Sequence, residues 1–339
     1  MTSIRPRVRI PGPIPYTSWA PETGEVTNHW DRLIARDVVR LVFFVPRDHF
    51  DIAAGVSHAL DSYLHAVSAS PAALSQYTCC DWEPSELDER GLELIRATLN
   101  PKERRYAEDY TRDESSQALK DGADPYFSIY GTQDSGFSLE YHARVPWRQA
   151  SPDRASVLRV TLPTEYLEER GANSVRELAL ELASRLPFAS GHAGLALDVA
   201  YPRLGRLDAL RPLIFRHPGF DIRDAGIRDE LGVKVDGVHW MNFLGEPVLG
   251  ALGGAPGLRA RLHSPSTDVQ ALNSQRVLVT LGPEPEAGDT AHGQSLPAYR
   301  ELAWVLEPWQ EPFPWDHLGN QGKAADEEEW RRWWRRFLD

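Results

Sequence analysis

Apolar residues recur along this chain at two spacings, and the spacings predict its elements. Val38 to Val45 (VVRLVFFV) is a β-branched and aromatic run stopped by Pro46, which predicts a strand. Ile52, Val56, Leu60, Leu64 and Val67 then stand about four apart, one buried face of a helix that Asp48 is placed to cap. Residues 68–84 read as a loop holding the adjacent Cys79 and Cys80. Ser85 and Asp88 approximate a capping box for a second helix, with Leu87, Leu92, Ile95 and Leu99 inward, and Asn100-Pro101 restarts a helix through Tyr110. YFSIY (126–130) and FSLEYHARV (137–145) predict two strands around a turn at Thr132 to Gly136, and VLRVTL (157–162) predicts another. TEYLEERG is a short helix closed by Gly171. Ser174 to Glu177 caps the next helix, whose inward face is Val175, Leu178, Leu182 and Leu186.

SGHAG (190–194) reads as a tight turn and GLALDV (194–199) as a strand, with one or two short helices near Leu207 to Phe215. The most apolar and glycine-rich stretch is GVHWMNFLGEPVLGALGG, Gly237 to Gly254, read as a buried strand entering a bend and a short apolar segment. Leu258 to Leu262, Val269 to Leu272 and Val277 to Leu281 suggest strands, the last two joined around Asn273-Ser274. Glu284 to Asp289 is an acidic turn. A last core helix starts at Pro297 with Tyr299, Leu302, Ala303 and Leu306 inward. These elements predict an α+β fold, a mixed, largely antiparallel sheet flanked by helices, with two similar sheet-plus-helix halves as one arrangement of it. Three regions are expected: an extended Pro-rich arm at 1–34, an α+β domain at 35–309, and an aromatic and charged tail at 310–339. In the tail Trp330, Trp333, Trp334 and Phe337 share one helical face. Docking back onto the body, binding a partner and lying on a membrane surface are three uses open to that face.

Composition narrows the functional classes. The net charge of −12 disfavours direct binding of nucleic acid, which needs a basic face. Acids outnumber bases thirteen to seven between Asp81 and Asp124. That stretch is either a solvated helical face or a surface complementary to a basic protein. Two adjacent cysteines form no disulfide framework, which suits a reducing, cytoplasmic setting. The basic N-terminus is followed by prolines instead of an apolar run, so no signal peptide is expected, and no run is long enough to cross a membrane.

No local catalytic signature is found. GALGGAPG (250–257) lacks dinucleotide spacing, and neither HExxH nor CxxC occurs. SGHAG has no central Ser, so it is not a nucleophile elbow, and Cys79 and Cys80 have no nearby His. Glu165, Glu168 and Glu169 read as solvated carboxylates on a short helix. His192, His217 and His239 lie near Asp198 and Asp221 in the sequence. A scattered set of this kind can converge on a metal, and it can equally be satisfied core and turn residues. No catalytic residue, cofactor or metal ligand is therefore assigned. A dispersed His/Asp metalloenzyme and an adaptor using the Trp-rich tail stay open as alternatives.

Five segments together resemble a known bacterial family: VLRVTLPTEYLEERG, LALELASRLPFASGHAGLAL, GVHWMNFLGEPVLGALGG, QRVLVTLGPEPEAGD and LPAYRELAWVLEPW. The family is type VI secretion immunity against toxins of the VRR-NUC nuclease class. The resemblance covers roughly residues 35 to 310, most densely 157 to 309. It implies a cytoplasmic, non-catalytic protein without cofactor that binds a cognate basic nuclease and covers its DNA-binding surface. Acids suited to a basic groove are Asp109, Asp113, Glu114, Asp121, Asp124 and Asp134, the candidate partner-binding residues. Oligomeric state is not legible.

Overall fold

The computed structural model describes residues 5–20, 24–70, 73–79, 84–100, 125–132, 134–145, 154–199, 207–223, 231–311 and 324–339. The eleven strands among them form one open sheet, in the order β10-β11-β9-β8-β2-β7-β6-β5-β3-β4, with β1 also beside β2. The strands are β1 (Arg9–Ala20), β2 (Gly24–Val45), β3 (Gln76–Cys79), β4 (Ser85–Glu86), β5 (Tyr126–Tyr130), β6 (Ser138–His142), β7 (Ser156–Pro163), β8 (Ser190–Val199), β9 (Met241–Leu244), β10 (Thr267–Asn273) and β11 (Arg276–Leu281). Every strand pair is antiparallel. The helices are α1 (His49–Val67), α2 (Glu89–Leu99), α3 (Thr164–Ala183), α4 (Leu207–Arg216), α5 (Val248–Ala251), α6 (Gly254–Arg259), α7 (Pro297–Leu306) and α8 (Ala324–Trp334). The α+β class expected from the spacing is the one found. The two flanks begin alike, β2 then α1 and β7 then α3, but their remaining strands are laid down in different spatial orders.

β2 is the central strand. Its inner half pairs with β7 on one side and β8 on the other, and its outer half pairs with β1. β1 and β7 thus follow one another along one side of β2. The alternation of the strand splits its side chains between two layers. Val39, Leu41, Phe43 and Val45 enter the large core under α1 and α3, while Val42 and Phe44 pack with Val157 and Leu231 on the opposite face. Arg40 lies between Val38 and Val42 on that second face and is buried.

Several local expectations are corrected. The stretch up to residue 34, read as irregular, contains β1 and the first part of β2, so β2 crosses the boundary placed at residues 34 and 35. The 68–84 loop contains β3, which buries Cys79; Cys80 lies outside the described residues. Asp88, not Ser85, caps α2, accepting from the Gly91 N–H at 2.7 Å, and Ser85 belongs to β4. Asp48 occupies the N-cap position of α1 without capping it; its carboxylate pairs with Arg144 at 3.0 Å. The helix expected from Asn100 to Tyr110 lies outside the described residues. SGHAG is no turn: it is the start of β8, between β2 and β9. Leu258 and Arg259 are the last residues of α6, so Leu258 to Leu262 is no strand. The two helices expected around Gly171 run as one element, broken in direction at that glycine by φ +80° and ψ 163°, a conformation open only to glycine.

Glu165 and Glu168 are ion-paired rather than free. Arg7 meets Glu165 at 2.9 Å and Glu168 at 2.6 Å, and Arg36 meets Glu165 at 2.9 Å. With Arg9 bound to Asp37, this network ties the start of the chain to the first turn of α3, where acids suit the helix dipole. At the far edge of the sheet, Arg259 of α6 donates to the Val269 carbonyl of β10 at 2.6 Å.

The aromatic tail docks inward. Trp330, Trp333, Trp334 and Phe337 are all buried against the body, and Trp334 donates its indole N–H to the Glu311 carbonyl at 3.1 Å. Those rings are consequently not offered to an adaptor's partner. Trp333 is 1% exposed. Trp333→Ala should cost about 3–5 kcal/mol, read as a lower urea midpoint at unchanged slope; a midpoint like the wild type's would mean that the helix is not part of the core.

Candidate functional site

The second face of the sheet carries the most concentrated polar chemistry among the described residues. β8 points His192 to this face beside Arg40 of β2. Where β9 stops, the segment around Asp221 takes its place along β8: the Asp221 N–H donates to the Leu195 carbonyl at 2.9 Å and the Leu197 N–H to the Asp221 carbonyl at 2.8 Å. Asp236 and His239 come from the stretch leading into β9. Asn242 fixes that stretch, its oxygen taking the His239 N–H at 2.9 Å and its amide donating to the His239 carbonyl at 2.7 Å. Gly237 is required beside it. Its φ is +115°, and a Cβ there would lie 2.4 Å from the Arg223 guanidinium.

The result is a group of His192, Asp221, Asp236 and His239 with donor atoms within 4.8 Å of one another, all at most 3% exposed. Two guanidiniums interleave with it. Arg40 lies 3.5 Å from Asp221, and Arg223 lies 3.6 Å from Asp221 and 3.8 Å from Asp236. Arg40 is held by the carbonyls of Arg223 at 2.6 Å and Leu197 at 2.9 Å. The His192 and His239 rings stack face to face, centroids 3.7 Å apart and 9° from parallel. Burial drives the His192 pKa down to about 4 and that of His239 well below its ordinary value. Burial alone would raise Asp221, but the charge of Arg223, with that of Arg40, brings it below the usual carboxylate range. Arg40 and Arg223 thus face two carboxylates around two neutral imidazoles.

α8 closes over it. The Arg223 guanidinium lies 4.2 Å from the Trp334 ring centre, and Arg336 lies 4.0 Å from Trp333 while donating to the Pro218 carbonyl at 2.8 Å. Buried among these groups, Arg336 has its pKa pushed down to about 9, by desolvation first and then by Arg223.

This arrangement does not make a good metal centre. Two imidazoles on one ion must converge on it in their own planes, at about 2.0–2.1 Å. Parallel rings point their lone pairs side by side instead. A divalent ion would also add charge to carboxylates already faced by Arg40 and Arg223, in a site closed to solvent. Burial keeps any substrate from these groups unless α8 moves.

Of the scattered residues singled out in the sequence, the structure brings together His192, His239 and Asp221. His217 is elsewhere, hydrogen-bonded to the Gly288 carbonyl at 2.6 Å, and Asp198 is only partly buried on β8. Asp236, Arg40 and Arg223 were missed. The signal for Arg40 was present, a charge at an inward position of a β-prone run that demanded a buried counter-charge. Of the candidate partner-binding acids, Asp109, Asp113, Glu114, Asp121 and Asp124 lie outside the described residues. Asp134 is exposed in the turn between β5 and β6, and its carbonyl accepts a hydrogen bond from Arg36.

Two predictions follow from the buried set. His192, His239 and His49, the last also lowered to about 4 by burial, are neutral when folded but titrate near 6.5 when unfolded. Their stabilisation is complete above pH 6.5 and is lost as pH falls toward 4, with a slope of about 1.4 kcal/mol per pH unit for each proton. Urea unfolding across that range should show this slope, and His192→Asn should reduce it by about one proton. Metal analysis of purified protein should find no stoichiometric ion; one lost on His239→Ala would overturn the argument from the stacked rings and the flanking guanidiniums.

Comparison with known proteins adds three findings. A family model described as TsiV, type VI immunity for VRR-NUC, matches residues 57–337. It extends through α8 to Phe337, beyond the limit near Trp309 drawn from the sequence segments. The solved structure of Pseudomonas aeruginosa T6SS protein PA0821 shares the fold, with a TM-score of 0.68 at 17% identity, covering 91% of this chain and 85% of that one. No curated protein matches the sequence at a significant level.

Proposed function

Because the chain belongs to the TsiV family, type VI immunity for VRR-NUC, we propose that it neutralises its cognate nuclease toxin by binding it and covering the surface that holds nucleic acid. The family match over residues 57–337 is the observation that carries this reading. In it the protein catalyses nothing. The convergent polar set among the described residues is sealed from solvent, which suits a structural role. The partner's chemistry follows from its task. A nuclease holds phosphates with a basic groove, and a chain of net charge −12 is drawn to such a groove over long range. Asp109, Asp113, Glu114, Asp121, Asp124 and Asp134 are the proposed contact acids. The proposed site of action is the cytoplasm, where the toxin would meet DNA. Among the described residues no helix is long and apolar enough to cross a membrane.

Co-expression with the adjacent toxin gene tests the reading directly. Cells should survive with this chain and die without it, and the two proteins should co-purify; death in both cases with no complex would sink it. Reversing the six acids to Lys tests the contact surface separately. Association with inactive toxin should slow by about tenfold or more at low salt, and the difference should shrink as salt rises. An unchanged rate would remove the acids from the interface and leave the immunity role standing.

A further inference from the structure

α7 presents a second surface to the outside. Its inward face is Tyr299, Leu302, Ala303 and Leu306, and opposite them Trp304 is 58% exposed. It is the one exposed large hydrophobic side chain among the described residues. Trp240, Trp330, Trp333 and Trp334 are by contrast buried, and Trp309 is half-buried. Trp304 is also held in position. Its ring N–H donates to the Leu338 carbonyl at 3.2 Å, which pins the edge of the indole and leaves its face open.

Carboxylates stand close to Trp304 along the chain. Glu301 and Glu307 stand three residues before and after Trp304, on the same side of the helical turn. Asp339 follows the carbonyl that anchors the ring. Each acid is fixed: Glu301 accepts the N–H groups of His263 at 2.7 Å and Ser264 at 3.0 Å, and Arg335 bridges Glu307 at 3.1 Å and Asp339 at 3.2 Å. Three carboxylates against two arginines, Arg300 and Arg335, leave the rim acidic. A rigid indole face within an acidic rim fits one kind of occupant, a cationic side chain delivered by a basic protein.

We propose that Trp304, rimmed by Glu301, Glu307 and Asp339, is an anchor point for the cognate toxin and receives an arginine or lysine of the toxin over the indole face. This rests on the immunity reading and adds contact residues to it beyond the acids at 109–134. Because ring and carboxylates are already ordered, little side-chain entropy is lost on docking.

The test is the affinity of full-length variants for catalytically inactive toxin. Trp304→Ala should weaken binding by about tenfold or more, the size of an interface hot spot. Trp304→Lys, which repels a cation, should weaken it further. Trp304→Phe loses the hydrogen bond to Leu338 but keeps a π face, and should stay within about threefold of the wild type. The exposed position predicts unchanged unfolding midpoints for all three. Wild-type affinity in Trp304→Ala would overturn the proposal and leave the immunity role intact. A loss in Trp304→Phe equal to that in Trp304→Ala would also overturn it, by assigning the effect to the Leu338 hydrogen bond. Failure of the wild-type chain to bind would remove the immunity reading and this surface with it.

Discussion

A charge placed in the middle of a sheet governs the second half of this structure. Arg40 sits on β2 with strands on both sides, 1% exposed, where water cannot reach it. An isolated guanidinium there would be prohibitively unfavourable, so the chain must bring hydrogen-bond acceptors and opposite charge to it. It does so from distant positions: the carbonyls of Leu197 and Arg223, and the carboxylate of Asp221. Arg223 then needs a counterpart of its own, which Asp236 supplies. The placement of the described stretches 217–223 and 231–240 is in this sense dictated by one residue of the central strand. The large core on the other face is assembled chiefly by apolar spacing, with the Tyr63 hydroxyl satisfied by the Thr161 carbonyl and the Tyr141 hydroxyl by His49.

The two faces therefore differ in what they tolerate. Under α1 and α3, side chains interlock by shape, and a swap between residues of similar volume costs little. On the second face Arg40, Asp221, Arg223 and Asp236 are set against one another, so removing one strands its partner, and the loss is larger than the single interaction. The aromatic side of α8 belongs to this second system. Trp333 and Trp334 cover the guanidiniums of Arg336 and Arg223, which shields the cluster from solvent while favouring the cations through the ring faces.

Much of the fold was legible because it depends on local spacing. The β-prone run at 38–45, the four-residue spacing of α1, the β10–β11 pair and the inward face of α7 are all present as predicted. What failed has a common cause. SGHAG looked like a turn because small residues favour turns, yet in β8 they serve tight packing: a Cβ at Gly191 would strike Phe43 at 2.8 Å. β3 is four residues long and pairs with β5 some fifty positions later, a partner no window of local sequence contains. The candidate site was half legible for the same reason. The histidines and Asp221 could be named, but not their balance by Arg40 and Arg223, which only the folded topology brings about. Family membership was carried by glycines, aromatics and core positions, which specify a shape more than a reaction.

The docking of the last helix has a consequence for synthesis. Trp333, Trp334 and Phe337 emerge from the ribosome after everything they cover, so the second face stays open while the preceding residues are translated. A nascent chain carrying all of β1 to β11 would still expose paired charges that need a cover. That face is closed only once α8 has been made, so a chain interrupted between β11 and α8 would leave the buried charges uncovered.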